Sequence, residues 1–138
     1  MPPSPQAASS AILERDGRFL LIRRINPPSA DLFAFPGGRA EAGERPEQTA
    51  VREFFEETGI HVRNPVLFAT YDLNGDKDDS RHFHLSVFRV EADADSQAIA
   101  SDDAADAGWY TVEEIRTLAV PPSVLECAER LAAEGDGR

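Results

Sequence analysis

One segment of this sequence indicates its own structure more strongly than any other, and it is also the most acidic. Pro46 suits the first turn of a helix and Gly59 suits a C-terminal cap, so the good helix formers between them are expected to be helical. At about 100° per residue, Glu53, Glu56 and Glu57 fall on one face of that helix, while the apolar residues take other bearings. The helix therefore has an apolar side to bury against a sheet and a carboxylate side whose repulsion must be relieved.

The carboxylate side of this helix is destabilising by itself. Like charges three and four residues apart cost a helix roughly a few tenths of a kcal/mol per pair. The whole chain is acidic too, with 25 Asp and Glu against 14 Lys and Arg and a net charge of −11. A divalent cation relieves such repulsion, and Mg²⁺ prefers oxygen ligands of this kind. The same acidic balance argues against nucleic acid polymers and anionic membranes as partners, because their phosphates attract basic proteins.

The length, cysteine content and hydropathy of the chain indicate one domain in a reducing compartment. A length of 138 residues suits a single core. Cys127 has no partner for an intramolecular disulfide, and no His or Cys cluster has zinc spacing. The first residues lack a secretory signal, and no apolar run is long enough to cross a membrane. We therefore predict a disordered tail over residues 1–7, one domain over residues 8–138 and a cytoplasmic location.

Two hairpins are predicted, because strand-like runs flank an Asp-Gly pair and later an Asn-Gly pair, which are strong turn signals. The runs are residues 9–14 and 18–24 for the first hairpin, and residues 64–73 and 81–91 for the second.

Helices and a long connection complete the predicted elements. Residues 25–45 contain Pro-Pro and Pro-Gly-Gly and no sustained period, which predicts a connection of about 20 residues. Thr111 with Glu114, and Ser123 with Glu126, have the spacing of capping boxes and predict a short helix and a C-terminal helix. Hairpins and helices that share one core indicate the α/β (α+β) class, with a mixed sheet covered by helices.

The acidic helix and the loop before it resemble the signature of the Nudix hydrolase family, G-x5-E-x7-R-E-U-x-E-E-x-G-U, in which U is a bulky apolar residue. Every slot of the signature is filled, by Gly38, Glu44, Arg52, Glu53, Phe54, Glu56, Glu57, Gly59 and Ile60. The hairpin before the signature, the FPGG leading into it and the late Trp109 are also similar to the family. The resemblance implies an α/β/α sandwich and an enzyme in which water attacks a phosphorus of a nucleoside diphosphate linked to another moiety.

The resemblance also implies roles for individual residues. Three glutamates and a backbone carbonyl of the preceding glycine pair are expected to hold Mg²⁺ or Mn²⁺, and an ion pair is expected to orient the site. The metal ligands are Glu53, Glu56, Glu57 and the carbonyl of Gly37 or Gly38, and the ion pair is Arg52 with Glu44. The signature does not fix which acid is the general base; Glu56, Glu57 or a later acid can serve, and we favour Glu56.

Several residues outside the signature are candidates for substrate contacts, and each has an ordinary structural alternative. Basic side chains near the expected cleft can donate to phosphate, although exposed arginines are common. An aromatic in the long connection can stack on a nucleobase or pack in the core. Many family members also place an extra acid before the late tryptophan, where a solvated acidic loop is the alternative. These candidates are Arg23, Arg24, Arg39, Phe35, Asp102 and Asp103.

Substrate identity is predicted by analogy. Residues 101–110 (SDDAADAGWY) look like segments of Nudix proteins described as ADP-ribose pyrophosphatases, and the long connection leaves room for a second moiety. We therefore favour ADP-ribose or a similar small-molecule nucleotide over a (modified) nucleoside triphosphate. The alternative outside enzymes is a Nudix-fold sensor that binds a nucleotide without cleaving it, although such sensors often lose the glutamates that this chain retains. The sequence does not set the oligomeric state, for which a homodimer is one candidate.

Overall fold

The apolar runs and the capped segments of the sequence become strands and helices in the computed structural model, which describes residues 6–25, 31–74, 82–101 and 104–136. In chain order the elements are β1 (Gln6–Ile12), β2 (Glu14–Arg15), β3 (Arg18–Arg24), β4 (Phe33–Ala34), β5 (Gly37–Arg39), α1 (Pro46–Thr58), β6 (Arg63–Asn74), β7 (His82–Glu91), β8 (Ala104–Tyr110), α2 (Val112–Ile115) and α3 (Pro122–Asp136).

The described strands form two sheets. In the first, the strand order is β5-β1-β7-β6, and the sheet is mixed because β1 runs parallel to β7 while the other pairs are antiparallel. In the second, β3 pairs along one edge with β2 and β4 and along the other edge with β8, all antiparallel. The acidic signature starts in β5, where Gly37 and Gly38 form an edge of the first sheet beside β1.

Alternate residues of the central strands point to opposite faces, and a helix covers each face. Phe19 and Leu21 pack in one core cluster with α3, whereas Leu20 packs in the other with Phe54 of α1. Full burial of a side chain such as Phe54 contributes roughly 1.5–3 kcal/mol to folding. Helices on both faces of strands that include a mixed sheet confirm the predicted fold class, an α/β/α sandwich. The separate antiparallel sheet is a feature that the sequence did not predict.

The first predicted hairpin is present only close to its turn. Asp16 and Gly17 have positive φ values of 54° and 76°, as a two-residue hairpin turn requires. The arm before the turn is β2, however, which has two residues, and residues 6–12 form β1 instead. The prediction is therefore wrong for residues 9–12. β1 lies between β5 and β7 in the first sheet, so its hydrogen-bond partners are distant in sequence and a local turn signal cannot reveal them.

The acidic helix and the second hairpin are confirmed. α1 begins at Pro46 and ends at Thr58, and Gly59, with a φ of 74°, donates its N–H to the Phe55 carbonyl at 2.8 Å as a C-terminal cap. Strands β6 and β7 pair antiparallel over their length. The turn that joins them lies outside the described residues.

The ends of the chain differ in part from prediction. The Thr111–Glu114 capping box is confirmed by reciprocal hydrogen bonds of 2.9 and 3.2 Å. The cap predicted at Ser123 is wrong, because α3 begins at Pro122, whose missing N–H suits the first helical position. Residues 6 and 7 of the predicted tail lie in β1, and residues 1–5 are outside the described part. No helix in the described ranges has the length and apolar character needed to span a membrane.

Candidate active site

Arg52 lies at the centre of the charged face of α1. Its Nε donates to Glu44 Oε2 at 2.7 Å and its Nη2 donates to Glu44 Oε1 at 2.9 Å, so the two side chains form a bidentate ion pair. Nη2 also donates to the Arg39 carbonyl at 3.0 Å, which ties the helix to the end of β5. The hydrogen bonds from Arg52 are the main reason that the pKa of Glu44 falls from 4.5 to about 2. The predicted ion pair is thus formed, and it is ionised at neutral pH.

The third guanidinium nitrogen, Nη1 of Arg52, brings two more carboxylates together. It lies 3.0 Å from Glu53 Oε1 and 3.1 and 3.2 Å from the two carboxylate oxygens of Glu56. The Glu53 side chain is 17% exposed and the Glu56 side chain 38%, so Glu56 is the more accessible to solvent. One cation therefore relieves part of the repulsion between these two members of the acidic face.

The remaining member of the acidic face, Glu57, is buried at 1% exposure. Its Oε1 accepts the Gly37 N–H at 2.7 Å, which supplies one of the hydrogen bonds that a buried carboxylate requires. Gly38 packs against Glu53 as closely: a Cβ at Gly38 would lie 2.4 Å from Glu53 Cδ. The glycine pair is therefore in direct contact with two of the three predicted ligand side chains, because neither glycine places a side chain between them.

A sequence profile described as the NUDIX domain matches residues 3–131 of this chain. The chain belongs to the Nudix family. It is 36% identical over 115 residues to an ADP-ribose pyrophosphatase of Methanocaldococcus jannaschii, covering 83% of this chain and 67% of that protein. It is 46% identical over 84 residues to a CTP pyrophosphohydrolase of Escherichia coli, covering 59% of this chain and 58% of that one. The solved structure of a MutT NUDIX hydrolase from Burkholderia pseudomallei matches with a TM-score of 0.79, at 25% identity, over 96% of this chain and 98% of that one. The protein is therefore a Nudix hydrolase.

Nudix hydrolases generally use divalent metal ions, and the donor atoms of this Nudix site fit one. The carboxylates and the glycine carbonyls are hard oxygen donors, the type that Mg²⁺ and Mn²⁺ prefer. As placed, no three Asp, Glu, His or Cys side chains of the described residues are close enough together to hold a metal ion. The guanidinium of Arg52 stands between Glu53 and Glu56, and Glu57 is turned to the Gly37 N–H. The glutamates and the glycine carbonyls therefore match such an ion in the type of their donor atoms. In this structure the guanidinium of Arg52 is the cation that lies between Glu53 and Glu56.

A cavity of about 190 Å³ opens beside the glycine pair of the Nudix signature. Arg24 and Phe35 both line it together with Gly37 and Gly38, so two of the predicted substrate-contacting residues meet the signature at one place. Phe35 is also part of the core at 5% exposure, so the core-packing alternative is the one that the structure shows. Most of the remaining wall is apolar and comes from Ala8, Ala34, Leu73, Leu85, Val87, Pro121 and Val124.

The other predicted substrate-contacting residues are placed differently. Arg23 forms ion pairs with Asp31 at 2.9 Å and Asp106 at 3.0 Å on the surface of the second sheet. The Arg39 guanidinium lies over the Phe83 ring, 5.3 Å from its centroid. The predicted acids at positions 102 and 103 lie outside the described residues.

One residue of the site was missed by sequence reasoning. Thr49 is fully buried, and its hydroxyl donates to Glu44 Oε1 at 2.7 Å. A signal was available, because Thr49 precedes Arg52 by three residues and Glu53 by four, which places all three on the same side of α1.

Proposed function

We propose that this Nudix hydrolase uses Mg²⁺ or Mn²⁺ to cleave the pyrophosphate bond of a nucleoside diphosphate linked to a second moiety, with ADP-ribose as the favoured substrate. The observation that carries the proposal is that the acidic face of α1 and an apolar cavity adjoin at Gly37 and Gly38. On one side the glycines contact the carboxylates of Glu53 and Glu57, and on the other they line an apolar cavity. A ligand seated in the cavity thus has its phosphates next to the acidic face.

Each residue of the acidic face has a part in the proposed reaction. Glu53, Glu56, Glu57 and a carbonyl of Gly37 or Gly38 are the groups that would hold the ion. When bound, the ion lowers the pKa of water and offsets the negative charge of the pyrophosphate. Glu56 is the best placed to accept a proton from water, because its side chain is the most exposed of the three at 38%.

The size and the mostly apolar lining of the cavity favour a substrate that places one base beside the phosphates. About 190 Å³ is below the several hundred Å³ of pockets that enclose a whole drug-sized ligand, so the cavity can enclose one base of a nucleotide. Arg24 is the charged side chain of the lining and can donate to polar atoms of a base or to a phosphate. The second moiety then lies outside the cavity. The similarity to a protein named ADP-ribose pyrophosphatase supports ribose phosphate in that place.

A nucleoside triphosphate is the second candidate. It is favoured by the 46% identity to a protein named CTP pyrophosphohydrolase, and a one-base cavity suits it equally well. A nucleotide sensor without activity is less well supported, because all glutamates of the signature are present.

A hydrolysis panel distinguishes these candidates. Wild-type protein is incubated with ADP-ribose, nucleotide sugars and nucleoside triphosphates, in Mg²⁺, Mn²⁺ or EDTA, with Glu57→Gln as the matched control. We expect the highest kcat/KM for ADP-ribose, with AMP and ribose 5-phosphate as products. A higher kcat/KM for any triphosphate, with a monophosphate and pyrophosphate released, would replace the favoured substrate. Nucleotide binding by calorimetry without turnover in either metal would indicate the sensor.

A further inference from the structure

The hydroxyl of Thr49 donates to a side-chain carboxylate in preference to the backbone carbonyl four residues earlier. A threonine inside a helix commonly donates to the carbonyl four residues earlier, and here that carbonyl, of Arg45, lies 3.3 Å from Thr49 Oγ1. Glu44 Oε1 lies closer, at 2.7 Å, and is charged. A hydroxyl has a single proton to donate, and the shorter contact to a carboxylate is the stronger one. The Thr49 hydroxyl therefore donates to Glu44.

The Thr49 hydrogen bond holds the Glu44 carboxylate, which also accepts hydrogen bonds from Glu41 and Arg52. Glu44 Oε1 also accepts the Glu41 N–H at 3.0 Å and Arg52 Nη2 at 2.9 Å. Because Thr49 is fully buried in the body of α1, it is the rigid member of this set, whereas Glu41 lies in the exposed loop. Thr49 and Arg52 are therefore the two residues of α1 that hold the Glu44 carboxylate, and of these Thr49 has the shorter, fully buried side chain.

The effect of Thr49 extends along the helix through Arg52. Both bonds of the bidentate pair orient the guanidinium plane toward Glu44, and the opposite nitrogen of that plane contacts Glu53 and Glu56. A rotation of the Glu44 carboxylate consequently turns Arg52 and alters the contacts of both glutamates.

We propose that Thr49 is a positioning residue: its buried hydroxyl holds Glu44, which holds Arg52 and thereby sets the positions of the Glu53 and Glu56 carboxylates. The catalytic consequence rests on the proposed function, whereas the positional consequence does not. Valine has the shape of threonine without the hydroxyl, and serine keeps the hydroxyl without the methyl group. A hydroxyl role is therefore preserved in Thr49→Ser and lost in Thr49→Val, and a packing role shows the reverse.

The positional part is tested by NMR without substrate or metal. The Arg52 Nε–H signal, assigned with Arg52→Lys, reports the 2.7 Å bond to Glu44. We expect its hydrogen exchange to be roughly tenfold faster in Thr49→Val and within about twofold of wild type in Thr49→Ser. In a Glu44→Gln background, Thr49→Val should add less than about twofold. Unchanged exchange in Thr49→Val, or equal acceleration in both variants, overturns the proposal.

The catalytic part is tested with ADP-ribose and saturating Mg²⁺. We expect kcat to fall about tenfold in Thr49→Val with KM within about twofold, and serine to restore at least half of the wild-type kcat. A wild-type kcat in Thr49→Val overturns the catalytic role. If wild-type protein hydrolyses no compound of the panel, the proposed function fails, and the exchange measurement still decides whether Thr49 positions Glu44 and Arg52.

Discussion

Replacement of Glu44 by glutamine removes the charge from the best-defined ion pair of the site while keeping its shape. In the wild type, both carboxylate oxygens accept from Arg52, and the Glu44 side chain is 12% exposed. In the variant, the amide NH2 group can only donate, so one of the two Arg52 donors loses its acceptor and faces another donor. The pair is therefore lost as a charged, bidentate contact, although the carboxylates of Glu53 and Glu56 remain nearby to offset the charge of Arg52.

The size of this effect follows from the pKa of Glu44. A fall from 4.5 to about 2 corresponds to an upper limit of between about 3 and 4 kcal/mol, at roughly 1.4 kcal/mol for each pH unit. Arg52 is a quarter exposed and retains other carboxylates, so we expect Glu44→Gln to lower the free energy of unfolding by about 2 kcal/mol at pH 7. Because the folded-state pKa is depressed, this contribution is complete above the unfolded-state pKa of 4.5 and is lost as pH falls through about 2.

Urea denaturation of both proteins between pH 7 and pH 3 measures this difference directly. We expect it to shrink from about 2 kcal/mol at pH 7 to about 1 kcal/mol at pH 3. Glu47→Gln is the matched control, because Glu47 pairs with Arg45 on the exposed side of the same helix and should change stability by less than about 1 kcal/mol. A difference that stays constant across this pH range, or one no larger than that of the control, would refute the reasoning.

Three further predictions concern the glycines, the buried glutamate and the cavity. Gly37→Ala should lower the free energy of unfolding in urea by about 2 kcal/mol or more, because its Cβ would lie 2.4 Å from the Ser9 carbonyl oxygen. Gly38→Ala should leave the fold intact and lower kcat, because its Cβ would displace the flexible Glu53 carboxylate. Glu57→Gln should lower kcat/KM about a hundredfold or more, while its thermal midpoint in EDTA stays equal or rises, since a buried charge is removed. Arg24→Leu should raise KM about tenfold with little change in kcat, as steady-state kinetics would show.

Local signals predicted the part of the site that lies on α1. The positions of Glu53, Glu56 and Glu57 follow from helical periodicity, and the ends of the helix follow from Pro46 and Gly59, so the acidic face could be drawn before any tertiary contact was known. The second hairpin was predicted correctly for the same reason, because its two strands follow one another in the sequence.

Contacts between residues distant in sequence account for what was missed. β1 pairs in parallel with β7, more than 70 residues later, and this pairing divides the strands between two sheets in a way that no turn signal encodes. Arg23 was a candidate for phosphate because its partner Asp106, 83 residues away, could not be foreseen. For Thr49, helical spacing predicts that it lies on the side of Arg52 and Glu53, but its hydrogen bond depends on the rotamer of Glu44, which sequence periodicity does not determine.

We propose that this acidic site hydrolyses the pyrophosphate of a diphosphate-linked nucleoside with the help of a divalent metal. Phosphorus NMR of ADP-ribose mixed with the protein tests it most directly. With Mg²⁺ or Mn²⁺ present, the two pyrophosphate resonances should be replaced by the monophosphate resonances of AMP and ribose 5-phosphate, and EDTA should stop the conversion. Pyrophosphate resonances that persist in both metals, or a conversion that continues in EDTA, would contradict the claim.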